Sequence, residues 1–175
     1  MKSLHKYSAG LLFGALALLV STGAWAGGLT DLNGHPRTIG DYAGKGKWLI
    51  VMIWASDCHI CNIEAHNYVD FQTFHQDKDA TILGISMDGM AKKAAAEGFI
   101  KRHSVNFPNL IGAPEDVAGT YSQLTGAPFQ GTPTFLVYDP AGKLLAQQVG
   151  AVPTDLIEGF IKSHTKAEAA PVKGS

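Results

Sequence analysis

Cysteine is nearly absent. Two cysteines among 175 residues cannot build a multi-disulfide scaffold or a four-cysteine zinc site, which leaves one disulfide or one reactive pair. An excess of either charge is also missing, with 14 Lys and Arg against 15 Asp and Glu. Lacking a basic surplus to neutralise phosphates, the chain is not expected to bind nucleic acid. No internal repeat and no second composition regime interrupts it, so a single domain is expected at this length. What is present is ordinary globular material, 46% hydrophobic and 17% charged, which argues against a largely disordered chain.

The N-terminus has the order of an export signal. A short basic stretch with Lys2 and Lys6 precedes an apolar run over residues 9–20, and Ala24-Trp25-Ala26 follows with small residues where a signal peptidase cuts. This reads as a signal peptide over residues 1–26. The alternative is an uncleaved anchor in the inner membrane facing the periplasm, for which the apolar stretch up to Ala26 is only marginally long. No cysteine follows Ala26 directly, so a lipoprotein anchor has no attachment point there. Either way the rest of the chain is expected in the periplasm. In such an oxidising compartment a cysteine pair is a structural disulfide or a redox site. The remaining chain divides into a domain over residues 27–165 and a polar tail, expected to be disordered, over residues 166–175.

Within the domain, Asn33-Gly34 between two short extended pieces signals a hairpin, because both residues tolerate positive φ. Trp48–Trp54 is apolar throughout and rich in β-branched and aromatic residues, the pattern of a strand buried on both faces. A helix is expected over 62–76 with Ile63, Tyr68, Phe71 and Phe74 along its inner face, a second buried strand over 81–86, and a helix over 90–103. A loop or short strand at 107–111 and a short helix at 116–124 come next. Thr134–Tyr138 and Leu144–Val149 flank Asp139-Pro140-Ala141-Gly142 as a hairpin, and a helix over 153–163 closes the domain. Strands alternating with helices and ending in an antiparallel hairpin imply an α/β three-layer domain with a mixed sheet.

The chemistry is concentrated at Cys58-His59-Ile60-Cys61, a C-x-x-C between the buried strand and a helix. At a helix N-terminus, unsatisfied amides and the macrodipole favour a thiolate on the first cysteine. The spacing places the second sulfur one turn below, where it can resolve a mixed disulfide formed by the first. His59, when protonated, would favour the thiolate further. A static disulfide spanning two residues would constrain the unfolded chain little, and a structural zinc site needs about four ligands, of which only His66 is near in sequence. No cofactor and no resident metal are expected. The second element is Thr132-Pro133, a proline at the mouth of a strand, where it removes no ladder hydrogen bond.

Together these features resemble the thioredoxin superfamily, and within it the exported TlpA/ResA/CcmG-like thiol-disulfide oxidoreductases. The resemblance runs through residues 29–34, 47–61, Glu64, Phe107-Pro108 and 131–150, nearly the whole mature chain. The interval from Cys58 to Pro133 is longer than in a plain thioredoxin and resembles the TlpA-type central insertion, which residues 90–111 would supply. The resemblance implies a thioredoxin-like fold with an N-terminal β-hairpin. It implies Cys58 as the attacking and Cys61 as the resolving cysteine of a Cys58–Cys61 disulfide, and Pro133 as a cis-proline facing it. Thr132 would offer backbone groups to an extended substrate, with His59, Ile60 and Trp54 as further substrate contacts. Glu64 matches the acid that tunes proton transfer in ResA-like members; otherwise it is a solvated helix carboxylate.

Three departures bear on redox potential: Ile60 and His66 stand where prolines are common, and Met52 stands where plain thioredoxins bury an acid. The expected partners are protein disulfides or dithiols and a membrane electron donor, with membrane contact only through an uncleaved N-terminal segment. A copper-binding chaperone using Cys58, Cys61 and His66 is the competing reading, since soft thiolates select Cu(I). A peroxidase is disfavoured because the Pro and Thr that peroxiredoxins place before their reactive cysteine are missing. His35, His75, His103 and His164 have no partner nearby in sequence and receive no role.

Overall fold

The computed structural model describes residues 28–168; residues 1–26, expected to be a signal peptide, and most of the tail lie outside them. The elements are β1 (Thr30–Asp31), β2 (Trp48–Trp54), α1 (His59–His75), β3 (Ala80–Ser86), α2 (Lys93–Arg102), β4 (Asn109–Ile111), α3 (Pro114–Thr125), β5 (Thr134–Tyr138), β6 (Leu144–Val149) and α4 (Thr154–Glu168). Single 3-10 turns cover Ile39–Asp41 and Met90–Lys92.

The six strands form one open sheet in the order β1-β4-β3-β2-β5-β6. Parallel pairing joins β2 to β3 and β3 to β4. Antiparallel pairing joins β2 to β5, β5 to β6 and β1 to β4. The apolar run of β2 is explained by its central place. Trp48, Ile50, Met52 and Trp54 pack into one core with Tyr68 and Phe71 of α1, Phe99 of α2 and Ile157 and Ile161 of α4. Leu49, Val51 and Ile53 pack into the other with Val117 and Tyr121 of α3. All seven β2 residues are buried, and each large side chain contributes about 1.5–3 kcal/mol of transfer free energy. The mixed sheet between helical layers is the architecture expected.

Several local expectations are corrected. The N-terminal hairpin shrinks to a two-residue strand and a single bridge between Thr30 and Pro36, and β1 pairs instead with β4. The Asp31 carboxylate accepts the backbone N–H groups of Asn33 at 2.8 Å and His35 at 3.0 Å, donors that a longer ladder would have used. On α1, Ile63 is 49% and Phe74 65% exposed. Tyr68 and Phe71 do face inward, joined by Cys61, Ala65 and Gln72 rather than by Ile63 and Phe74, and Gln72 accepts the Ile82 N–H of β3 at 2.8 Å. The helix expected over 90–103 opens as a 3-10 turn before α2. The one at 116–124 starts earlier, at Pro114, which fits the first helical turn. No helix breaker stands between Thr165 and Glu168, and α4 runs to Glu168, past the boundary set at residue 165.

Candidate active site

Strand β2 delivers the chain to a short loop, Ala55-Ser56-Asp57, and Cys58 begins α1 as its N-cap with extended backbone. Its sulfur accepts the Cys61 N–H at 3.1 Å, the place a serine or aspartate oxygen takes in other caps. Cys58 and Cys61 are joined as a disulfide, with Cα atoms 5.2 Å apart. The two sulfurs are not equivalent. Cys58 is half-buried, whereas Cys61 is fully buried in the α1 core.

Two side chains that sequence spacing did not reveal hold the loop. Asp88, just after β3, accepts the Ser56 N–H at 3.1 Å and the Ser56 hydroxyl at 2.6 Å. The Ser86 hydroxyl donates to the same carboxylate at 2.6 Å. On the helix side, Asn62 Nδ2 donates to the carbonyls of Ser56 at 3.1 Å and Cys58 at 2.8 Å. Its Oδ1 meets His103 Nε2 at 2.9 Å and Arg102 Nη2 at 3.4 Å, both from the end of α2. His103 is therefore not isolated. Burial, helped by the charges of Arg102 and His66, holds its pKa below the ordinary imidazole value.

Trp54 was expected to touch substrate, and the structure corrects this. Its side chain is 1% exposed, stacks on Phe99 with ring centroids 4.2 Å apart and donates its Nε1–H to Asn109 Oδ1 at 3.0 Å. The indole sits at the inward end of a strand buried on both faces, so it supports the loop from beneath. Gly84 on the intervening strand makes room, since a Cβ there would fall 1.9 Å from Asn109 Oδ1. His59 and Ile60, by contrast, are exposed beside the disulfide.

The Thr132–Pro133 peptide is cis. Pro133 is buried and Thr132 half-buried. Because Thr134 is in register with Ile53, Pro133 lies level with the end of β2, where the cysteine loop departs. The Pro133 carbonyl accepts the Gly150 N–H at 2.8 Å, and among the described residues no backbone partner engages Thr132. Glu64 is half-buried on α1, one turn beyond Cys61, and accepts Asn67 Nδ2 at 2.7 Å. Beyond it, burial and the Glu64 charge push the Tyr68 phenol up to about 12, while its hydroxyl donates to the Val152 carbonyl at 3.0 Å. His66 is exposed and directs Nδ1 to the Ile63 carbonyl at 3.0 Å. Among the described residues, no three His, Cys, Asp or Glu side chains gather to hold a metal ion, and no helix is long and apolar enough to cross a membrane.

A family model described as the AhpC/TSA family matches residues 24–147. This chain belongs to the AhpC/TSA family. The thiol-disulfide oxidoreductase ResA of Bacillus anthracis is 27% identical over 137 residues, covering 78% of this chain and 73% of that protein. ResA of Geobacillus kaustophilus is 27% identical over 135 residues, covering 77% and 72%. Among solved structures, a thioredoxin-family thiol:disulfide interchange protein from Chlorobium tepidum superposes with a TM-score of 0.64 at 22% identity, covering 77% of this chain and 89% of that one. A DsbF homologue from Corynebacterium diphtheriae gives 0.64 at 25% identity, covering 76% and 80%. The thioredoxin-like fold and the resemblance to ResA-type proteins read from the motifs both hold. With a C-x-x-C disulfide at the helix entry of this fold, the protein is a disulfide oxidoreductase.

Proposed function

We propose that the protein is an exported thiol-disulfide oxidoreductase of the TlpA-like branch that works in the periplasm and reduces disulfides of partner proteins. The unequal burial of Cys58 and Cys61 at the N-terminus of α1 carries this reading. In the reduced protein, the Cys58 thiolate attacks one sulfur of a partner disulfide. A new S–S bond joins Cys58 to the partner as the partner's own S–S bond breaks, and the departing thiolate takes up a proton. Cys61 then loses its proton and attacks Cys58 Sγ, closing the Cys58–Cys61 disulfide and releasing the partner as a dithiol. Two electrons have passed to the partner, and a membrane dithiol donor restores the pair.

Thr132 offers its backbone groups to an extended segment of the partner, as in strand addition, and Pro133, having no N–H, leaves the space before the sulfurs free of a competing donor. His59 and Ile60 are the exposed side chains flanking the attack. Glu64, one turn from Cys61, serves as the carboxylate through which the Cys61 proton leaves. The reducing direction rests on the motif resemblance, and export on the basic, apolar and Ala-Trp-Ala order of residues 1–26. The copper-handling alternative would use His66 through Nε2, since Nδ1 is directed to the Ile63 carbonyl.

Trapping tests the assignment. Incubated with an oxidised partner peptide, a Cys61→Ala variant should accumulate a mixed disulfide through Cys58, and a Cys58→Ala variant should accumulate none. Accumulation through Cys61 instead would reverse the roles. A tight stoichiometric Cu(I) site in the reduced protein, coupled with no disulfide exchange, would favour the copper reading.

A further inference from the structure

Asn62 directly follows the C-x-x-C, and its hydrogen-bond partners admit only one orientation of the amide. The carbonyls of Ser56 and Cys58 can only accept, and both lie within 3.1 Å of Nδ2. The Arg102 guanidinium can only donate, and it approaches Oδ1. With Oδ1 fixed as the acceptor, His103 Nε2, at 2.9 Å from it, must carry a proton. A chain of donors thus runs from α2 through Asn62 to the two carbonyls that bracket the attacking cysteine. The Cys58 carbonyl also accepts the backbone N–H of Asn62 at 3.1 Å, so one residue satisfies both of its lone pairs.

We propose that Asn62, oriented by His103 and Arg102, is a positioning residue for the Cys58 sulfur. It fixes the backbone on both sides of Cys58 while the disulfide opens and closes. It also quenches carbonyl dipoles whose negative ends would otherwise oppose a thiolate nearby. Its neutrality matters, because a carboxylate in its place would oppose the thiolate with a full charge. The segment carrying α2 is thereby coupled to the redox loop, and His103 is the contact through which that coupling passes. The inference rests on Cys58 being the attacking sulfur.

The experiment measures alkylation of the reduced full-length protein by iodoacetamide across pH, with mass-spectrometric assignment of the labelled cysteine and a melting curve for each variant. Asn62→Ala should raise the Cys58 pKa and slow its alkylation at pH 7 about three- to tenfold, the range expected for losing one or two neutral hydrogen bonds. His103→Ala should shift the Cys58 pKa in the same direction by less, and His103→Gln, which keeps an N–H donor, should return the rate to within about twofold of wild type. A melting temperature that falls while the Cys58 pKa stays put in Asn62→Ala would reduce Asn62 to a structural part and overturn the inference. Should Asn62→Ala not fold, equal Cys58 pKa values in His103→Ala, His103→Gln and wild type would overturn it as well. Labelling of Cys61 ahead of Cys58 in the wild type would overturn the assignment of roles together with this inference, whereas an unmoved Cys58 pKa touches the inference alone.

Discussion

At its N-terminal end α1 is held by neutral donors on backbone carbonyls, whereas at its C-terminal end it is held by contacts of His75 with two surface carboxylates. His103 supports Asn62 against the Ser56 and Cys58 carbonyls. His75 instead lies between two carboxylates, Asp79 at 2.8 Å and Glu158 at 3.4 Å, whose side chains are about half exposed. Each imidazole leans on an aromatic ring one turn back, Phe99 for His103 and Phe71 for His75, so the local packing is alike. The difference is in what the polar contacts fix. Exposed ion pairs contribute about 0–1 kcal/mol and tolerate motion. Hydrogen bonds to two carbonyls on either side of one residue fix a backbone. Where a sulfur must keep its place through a redox cycle, the chain uses the second kind.

The comparison breaks most severely from beneath the loop. A Cβ on Gly84 would lie 1.9 Å from Asn109 Oδ1 and 2.9 Å from Trp54 Nε1. Gly84→Ala is therefore expected to separate the Trp54–Asn109 pair, leave a buried indole N–H without a partner and disturb the Phe99 stack that supports His103. Overpacking and an unpaired donor together should cost about 2–4 kcal/mol, read by denaturant titration alongside a change in tryptophan fluorescence. Stability equal to wild type would mean that the Trp54 shelf carries no weight.

That shelf also marks where sequence reading stopped. β2 and β5 were legible to the residue, because apolar runs bounded by glycine and turn chemistry leave one placement for a buried strand, and the more exposed β6 followed from the turn that pairs it with β5. The C-x-x-C at the strand–helix junction was legible for the same reason. The supports were not. Asp88 lies 32 residues from Ser56 and His103 lies 41 from Asn62, distances at which pattern carries no signal and only the folded sheet brings the partners together. Trp54 looked like a substrate contact through the family resemblance, but β2 is buried on both faces and leaves the indole 1% exposed. Ile63 and Phe74 looked like core because apolar residues at helical spacing are the usual sign of it. The small Ala65 and the hydrogen-bonded Gln72 define the inner face instead.

A smaller effect separates the loop anchor from the surface anchor. Asp88→Ala removes the acceptor for the Ser56 N–H, the Ser56 hydroxyl and the Ser86 hydroxyl. Hydrogen bonds to a charged acceptor contribute about 1.5–3 kcal/mol each, with water replacing part of that here, so a net loss of about 1–3 kcal/mol is expected together with slower disulfide exchange. His75→Ala should cost no more than about 1 kcal/mol and leave exchange unchanged. Equal losses of activity in the two variants, assayed on the same disulfide substrate, would erase the distinction between the two ends of α1.

The smallest effect is the pH response of His103. Burial comes first among the causes that lower its pKa from the ordinary 6.5, followed by the positive charges of Arg102 beside it and His66 across on α1. A histidine depressed in this way binds fewer protons in the folded protein than in the unfolded chain just below that value. Its contribution to stability is fully present above about 6.5 and is lost as the pH falls through the folded pKa. The Nε2–H bond to Asn62 persists in either protonation state, so acid should lower stability without abolishing the orientation of Asn62. An NMR titration should place the His103 midpoint below the ordinary imidazole value of 6.5. Denaturation between pH 7.5 and 5 should show a stability loss that His103→Gln reduces. A His103 midpoint above the ordinary value would mean that the imidazole is favoured as a cation at this site. Stability would then rise as the pH fell, and charge would help to hold the N-terminal end of α1 after all.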